Sequence, residues 1–359
     1  MKQLGLRRVK PYFYQHKMHA KARWIGRPIL SVFTQEFRNR NADYYERAIK
    51  KGWITVNEEA VSADTIVHAT DVLKHAEHFH EKPTTARPLC IIHSDDDLLV
   101  IDKPSGLPVH SSGRFRYNTV VEILKSTLGL SSIYPVNRLD RHTSGLVLLA
   151  LTPQRASEIA QDMKGRVVQK EYLCRVLGKF PSGKVVCNVP IKPISFKLSL
   201  HYAHADGKPC ATEFERVSYN GQTSVVRCRP LTGRTHQIRV HLRYLGYPIV
   251  NDPMYHTTFT PWFPPPMTCI NDTDAEQVVQ HLLETTQYEL QQNDNNSSNN
   301  YICPECNMLV PEDPRPETSL GIYLHAWRYR GNGWDYKTEL PHWIYEPFNE
   351  PITPASIIK

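Results

Sequence analysis

Residues 134–151 read Tyr-Pro-Val-Asn-Arg-Leu-Asp-Arg-His-Thr-Ser-Gly-Leu-Val-Leu-Leu-Ala-Leu, and the stretch changes character halfway along. Leu146 to Leu151 is a continuous apolar run, too short for a helix and suited to a strand buried on both faces. The polar half holds Gly145 and reads as a loop feeding that strand. In the loop a single carboxylate, Asp140, stands between Arg138 and Arg141, with His142 beside it. Neighbouring cations favour the ionised carboxylate and lower its pKa. A fixed, ionised Asp serves as a nucleophile or as an electrostatic stabiliser. A loop salt bridge has the same composition, so this stretch by itself leaves both readings open.

Working outward, Leu98 to Ile101 is a second buried strand, broken at Asp102-Lys103-Pro104-Ser105-Gly106, a turn by its Pro and Gly. Asn118 is read as the cap of a helix with Val121, Leu124 and Leu128 on one face. Thr152-Pro153 opens the next helix, with Pro at its first position. Val167 to Leu177 is strand-like and contains Tyr172, and Pro181 to Val225 divides into short strands with turns at Asp206-Gly207 and Asn220-Gly221. In Leu231 to Tyr255, Ile238, Leu242 and Leu245 recur at helical spacing, with Thr235 as N-cap and Gly246 as stop. His236, Arg239 and Arg243 share the polar face of that helix. A basic face at a helix N-terminus holds an anion, phosphate or carboxylate, and a solvated polar face is the plain alternative. Strand character returns from Leu320 to Arg330.

The flanks are basic. The 359 residues carry 43 Lys and Arg against 36 Asp and Glu, a net charge of +7, which favours a polyanionic partner. Residues 1–35 hold eight of these cations, have no acid before Glu36, and interleave Tyr12, Phe13, Tyr14 and Trp24; this suits an arm lying on RNA. A mitochondrial transit peptide is also basic and acid-poor, but is usually richer in Ser than a segment holding only Ser31. Residues 37–83 read as a small module: a basic helix from Asp43 to Lys51, a strand at Ile54–Asn57, and strand character from Val67 to Val72. The catalytic body spans 84–359, with a polar insertion at about 262–319 that composition marks as partly disordered, and an irregular tail rich in Pro and aromatics. The cysteines are scattered and read as reduced thiols. No apolar run reaches the ~18 residues of a membrane span. A cytoplasmic monomer is expected, with the nucleus and the mitochondrion open.

Metal and nucleotide chemistry find little support. Cys303-Pro304-Glu305-Cys306 offers two thiolates, and a structural zinc site takes four ligands. Cys269 or a distant His would have to complete it, and no second pair is visible, so no metal is expected. His75-Ala76-Glu77 fits the first half of a zinc deaminase signature, but Ile302 rather than Pro precedes Cys303 and the halves lie far apart. His236 and His241 are about 140° apart on a helix and form no ligand pair. There is no P-loop and no dinucleotide fingerprint.

Three stretches together resemble the RluA-type pseudouridine synthases. Asp102–His110 resembles their first motif, Asn137–Leu146 their catalytic motif, and Gly233–His241 their third, while Lys170-Glu171-Tyr172 falls at the family's active-site tyrosine. The likeness covers about residues 88–260 and returns at 323–329. Asn137 stands where many members have His. The 37–83 module resembles the ribosomal-protein-like RNA-binding domain of some members. The arm and the Cys303 insertion resemble the eukaryotic, fungal-type branch that modifies uridine 32 of tRNA.

The resemblance implies an α+β (mixed α/β) fold with a mostly antiparallel central sheet, isomerising uridine to pseudouridine without a cofactor. It implies catalytic roles for Asp140, Tyr172 and Arg239. It also implies RNA contacts by Arg138, Arg141, His142, Thr143, Arg234, Thr235, His236, Gln237 and Ile238. Position 32 of the tRNA anticodon loop is the first reading of the target, with ribosomal or messenger RNA as the alternative. A non-catalytic RNA chaperone on the same fold is the rival class. A glycosidase-like hydrolase would need a second carboxylate, and the motifs hold none.

Overall fold

A computed structural model describes residues 5–37, 40–195, 199–256, 265–281, 301–310 and 320–345. Much of the polar insertion and the last residues of the tail, for which irregular structure was expected, lie outside them. The chain forms two compact units, one of residues 9–82 with 297–312, the other of the remainder.

The smaller unit carries an antiparallel sheet in the order Tyr12–His19, Val72–Phe79, Ile54–Val56, Glu59–Ala60. Strand 12–19 alternates half-buried and exposed residues along its whole length, the period of a strand with one covered face. The segment expected to be a separate arm thus supplies an edge strand and the helix Ile29–Glu36. Trp24, Ile29, Val32 and Phe33 share a core with Tyr44, Tyr45, Ala48 and Ile49 of the helix Ala42–Lys50 and with Ile54 and Leu73. The tight turn at Asn57 and Glu58 is confirmed by their positive φ of 51° and 70°. Val67 to Asp71 is a turn, not the expected strand; Asp71 accepts from the His68 N–H and from Asn57 and ties it.

The larger unit is built on one sheet whose order is Lys184–Cys187, Thr212–Tyr219, Thr223–Pro230, Gln169–Leu177, Leu324–Gly331, Ser144–Ala150, Leu98–Lys103, Cys90–Ser94. Trp334–Lys337 pairs with 324–331 and Tyr134–Pro135 with 144–150. Every pairing is antiparallel except that of 144–150 with 324–331. The mixed α/β class with a mostly antiparallel sheet therefore holds. Leu146 to Ala150 are fully buried, as the unbroken apolar run requires; each large side chain there contributes about 1.5–3 kcal/mol on burial.

Helix Val120–Leu128 is capped by Thr119 rather than Asn118, the Thr hydroxyl accepting from the Glu122 N–H, and it ends at Gly129 in the left-handed region. Helix Pro153–Lys164 is capped by Thr152. Gly145, at φ +112°, permits the one parallel contact: a Cβ there would meet the Ala326 carbonyl oxygen at 2.2 Å. Among the described residues no helix is long and apolar enough to cross a membrane.

Candidate active site

Asp140 sits in the turn that enters strand 144–150, and three tethers fix that turn. The Thr143 N–H donates to the Asp140 carbonyl at 3.0 Å. Strand 98–103 runs through Asp102 and Lys103, which were read as part of the turn, and at its end Lys103 is wholly buried, its ammonium donating to the carbonyls of Pro104, Leu107 and Arg141. The Gly106 N–H also donates to Arg141. The first and second sequence motifs are thereby one piece of backbone architecture. Burial pushes Lys103 down to about 7, yet its three carbonyl partners match the three N–H donors of an ammonium.

The third motif arrives from the opposite side. Gln237 knots its loop: the side-chain N–H₂ donates to Ala211 O and Thr212 Oγ1, and its oxygen accepts from Thr232 Oγ1 and the Arg234 N–H. The cap of helix Gln237–Tyr244 is His236, at φ +57°, and not Thr235. Residues 237–243 are all buried, so the polar face is internal and not solvated. Arg243 is covered with the rest, and His241 is held by Thr212 Oγ1 and Val189 O.

Arg239 lies between two carboxylates. Its Nη1 donates to Asp140 Oδ2 at 3.2 Å, while Nε and Nη2 grip Asp252 at 2.7 and 2.9 Å. The guanidinium also lies 4.9 Å from the Tyr255 ring centroid. Asp252 is completely buried and accepts further from the Met254 and Tyr255 N–H groups. Asp140 retains 29% side-chain exposure, and that exposed part faces the cleft. Burial by itself would raise the Asp140 carboxyl; His236 and Arg239 outweigh it and hold the pKa below the ordinary value. The same balance, with Arg239 as the cation, lowers Asp252.

His236 Nε2 is 3.5 Å from Asp140 Oδ2 and Nδ1 is 2.8 Å from the Tyr255 hydroxyl, which also accepts from the His201 N–H. Burial, then Arg239, pushes His236 down to about 4. The ring is therefore neutral near neutrality; an ionised carboxylate only accepts, so the tautomer that serves Asp140 carries its proton on Nε2 and takes the Tyr255 hydroxyl proton at Nδ1.

Tyr172 stands on strand 169–177 at a bulge between Glu171 and Tyr172. Its hydroxyl is 2.5 Å from that of Tyr329, which also accepts from Asn137 Nδ2 at 3.4 Å. Burial pushes Tyr172 up to about 12, so it is a neutral phenol. Asn137 is buried too: it accepts from the Leu148 N–H and donates to Leu146 O, bracing the Asp140 turn on its strand.

These groups open onto a cleft of about 720 Å³. Asp140, Tyr172, Arg239, Arg138, Arg141, Thr143, Arg234, Thr235, His236, Gln237 and Ile238 all line it. His142 does not: it is held between Arg141 Nη2 at 2.9 Å and Leu320 O at 2.8 Å, and burial, then Arg141, pushes it down to about 3. Among the described residues Asp140 is the sole carboxylate in the lining, against the cations Arg114, Arg138, Arg141, Lys170, Arg234 and Arg239. That imbalance suits a polyanion. The second carboxylate, Asp252, is sealed behind Arg239 and cannot serve a hydrolase. Asp252 and Tyr255 lie within the resembling stretch 88–260 and Tyr329 ends the one at 323–329, but none of them falls in the three quoted motifs and no local pattern singles them out.

Residues 97–244 match the RNA pseudouridylate synthase family. The chain belongs to this family, in its RluA-type branch, and is an RNA-modifying isomerase. It is 39% identical to the mitochondrial tRNA pseudouridine(32) synthase of Saccharomyces cerevisiae, over 94% of this chain and 77% of that protein. It is 38% identical to pseudouridylate synthase RPUSD2 of Mus musculus, over 96% of this chain and 73% of that one. The tRNA pseudouridine(31) synthase of Saccharomyces cerevisiae is 34% identical, over 95% and 96% respectively.

Proposed function

We propose that the chain converts uridine 32 of the tRNA anticodon loop to pseudouridine, with Asp140 as the reacting carboxylate and no metal or nucleotide cofactor in the chemistry. The observation that carries the reading is the partly exposed, ionised Asp140 set against a guanidinium that Asp252 holds from behind. The reaction breaks the bond between uracil N1 and ribose C1′, turns the base, joins C5 to C1′, and moves the C5 proton to solvent while N1 takes one up. An ionised carboxylate near the sugar and base serves as the nucleophile or as the counter-charge. Arg239 and the neutral Nε2–H of His236 keep Asp140 charged and aimed. Tyr172, as a neutral phenol, packs on the extruded base and donates rather than accepts a proton. Arg138, exposed on the cleft, fills the gap left by the flipped nucleotide. A loop uridine suits this because its extrusion costs only a few kcal/mol.

The target position draws on the relatives named for tRNA positions 32 and 31, the former being the more similar. The compartment we propose is the cytoplasm; imaging of a tagged chain decides between it and the mitochondrion. The main test is purified protein on a tRNA transcript, read position by position, with Asp140→Asn beside it. Pseudouridine at 32 with wild type and none with Asp140→Asn is expected. Turnover by Asp140→Asn would overturn the assignment of the carboxylate, and modification only of ribosomal or messenger RNA would overturn the target.

A further inference from the structure

His78 is the penultimate residue of strand 72–79 and His80 follows two positions later, so both rings project from one side of the chain. Their centroids are 4.9 Å apart at 86°, edge to face. Cys303 and Cys306 lie on a small hairpin closed by the pairing of Tyr301–Ile302 with Leu309–Val310. The turn between them is tight: the Cys303 N–H donates to Met308 O, the Asn307 N–H donates to Cys303 O, and Asn307 takes a positive φ of 54°. Tyr301 and Ile302 are exposed while both thiols are buried.

The thiols turn toward the imidazoles. Cys303 Sγ is 3.6 Å from His78 Nδ1 and Cys306 Sγ is 3.4 Å from His80 Nε2. The four ligand atoms all lie within 4.8 Å of one another. A tetrahedral zinc with bonds of ~2.3 Å to sulfur and ~2.0–2.1 Å to nitrogen sets sulfur and nitrogen about 3.5 Å apart. Cys303 and Cys306, for which the sequence reading expects no metal, thus stand with His78 and His80 in a group of four ligand atoms. The missing pair is His78-Phe79-His80, separated from Cys303 by 225 positions.

We infer that His78, His80, Cys303 and Cys306 bind one zinc ion as a structural site of the smaller unit. Two thiolates and two imidazoles are a ligand set for zinc rather than for magnesium or calcium, and four protein ligands leave no open position for catalysis. Strands of two residues are marginal by themselves. Among the described residues, the Lys51 Nζ donation to Glu305 O and these four side chains hold the hairpin to residues 9–82. A metal clip closing so long a loop removes much of the freedom that otherwise releases the hairpin. None of the four residues lines the catalytic cleft, so the site does not depend on the reading of the chemistry.

The test is metal analysis of the full-length protein purified under reducing conditions, without chelator, by plasma mass spectrometry. About one zinc per chain is expected, and a fall of about tenfold or more in Cys303→Ser/Cys306→Ser and, separately, in His78→Asn/His80→Asn. Should these variants fail to fold, cobalt exchanged into wild type provides a second readout: thiolate-to-cobalt charge-transfer bands with the intense visible bands of a tetrahedral ion. Wild type that holds no zinc and gives no such bands overturns the inference. Zinc retained in both double variants overturns it as well.

Discussion

Replacing Asp252 with Asn tests whether a residue outside the sequence motifs holds the catalytic guanidinium. The carboxylate is sealed from solvent and accepts four N–H groups: Oδ1 takes Arg239 Nη2, Met254 and Tyr255, and Oδ2 takes Arg239 Nε alone. An amide oxygen placed at Oδ1 keeps three of these. The amide N–H₂ then faces Arg239 Nε–H, donor against donor, and the buried charge loses its closest partner. Breaking a buried ion pair from one side costs about 3–5 kcal/mol. Because Asp140 still touches Arg239, the lower end applies, about 3 kcal/mol, and a melting temperature lower by roughly 6–12 °C. With Arg239 no longer gripped by two bonds, the rate at saturating RNA should fall about 10–100-fold, the usual loss for misplacement on the ångström scale. Thermal denaturation and single-turnover kinetics on one preparation measure both quantities. An Asp252→Asn protein that melts within about 2 °C of wild type and turns over normally would refute the reasoning. Arg243→Ala is no neutral control, because that residue is buried.

Asp140→Asn should separate the two effects: the side chain is partly exposed and Arg239 keeps Asp252, so stability changes by less than about 1 kcal/mol while turnover is lost; a collapse of stability in denaturation would count against it. Tyr172→Phe removes the contact to Tyr329 but keeps the ring, so it should retain far more activity than Tyr172→Ala, and equal losses would argue against a packing role. Gly145→Ala places a methyl against the Ala326 backbone at a positive φ and should destabilise by more than about 1 kcal/mol, read as a lower melting temperature of the larger unit. The pH–rate profile should be level between roughly pH 5.5 and 9, because His236 lies near 4, Asp140 below its ordinary value and Tyr172 near 12. Both His236 and Asp140 have depressed pKa values, so the stability they contribute is intact at high pH. It erodes for His236 as pH falls from 6.5 toward 4 and for Asp140 as pH falls through its own lowered pKa. An inflection near 7 would instead implicate Lys103, which burial pushes down to about 7.

Sequence alone determined the local features. The buried 146–150 strand follows from an unbroken apolar run, and the Thr152 cap and the turn at Asn57 follow from local chemistry. Asp140 stood out as a carboxylate among cations, and the motif resemblance joined Arg239 and Tyr172 to it across the chain. Tertiary structure decided which side chains complete one another. It set Asp252 behind Arg239, made Lys103 a tether between two motifs, turned His142 away from the cleft, and buried the helix face for which solvation was the alternative. It also drew residues 12–19 into the small sheet and brought His78 and His80 to Cys303 and Cys306. The physical reason is the same in each case. Periodicity, capping and turn preference act over a few residues and leave a local pattern, whereas an ion pair, a buried ammonium or a metal cage depends on distances across many residues that no local pattern encodes.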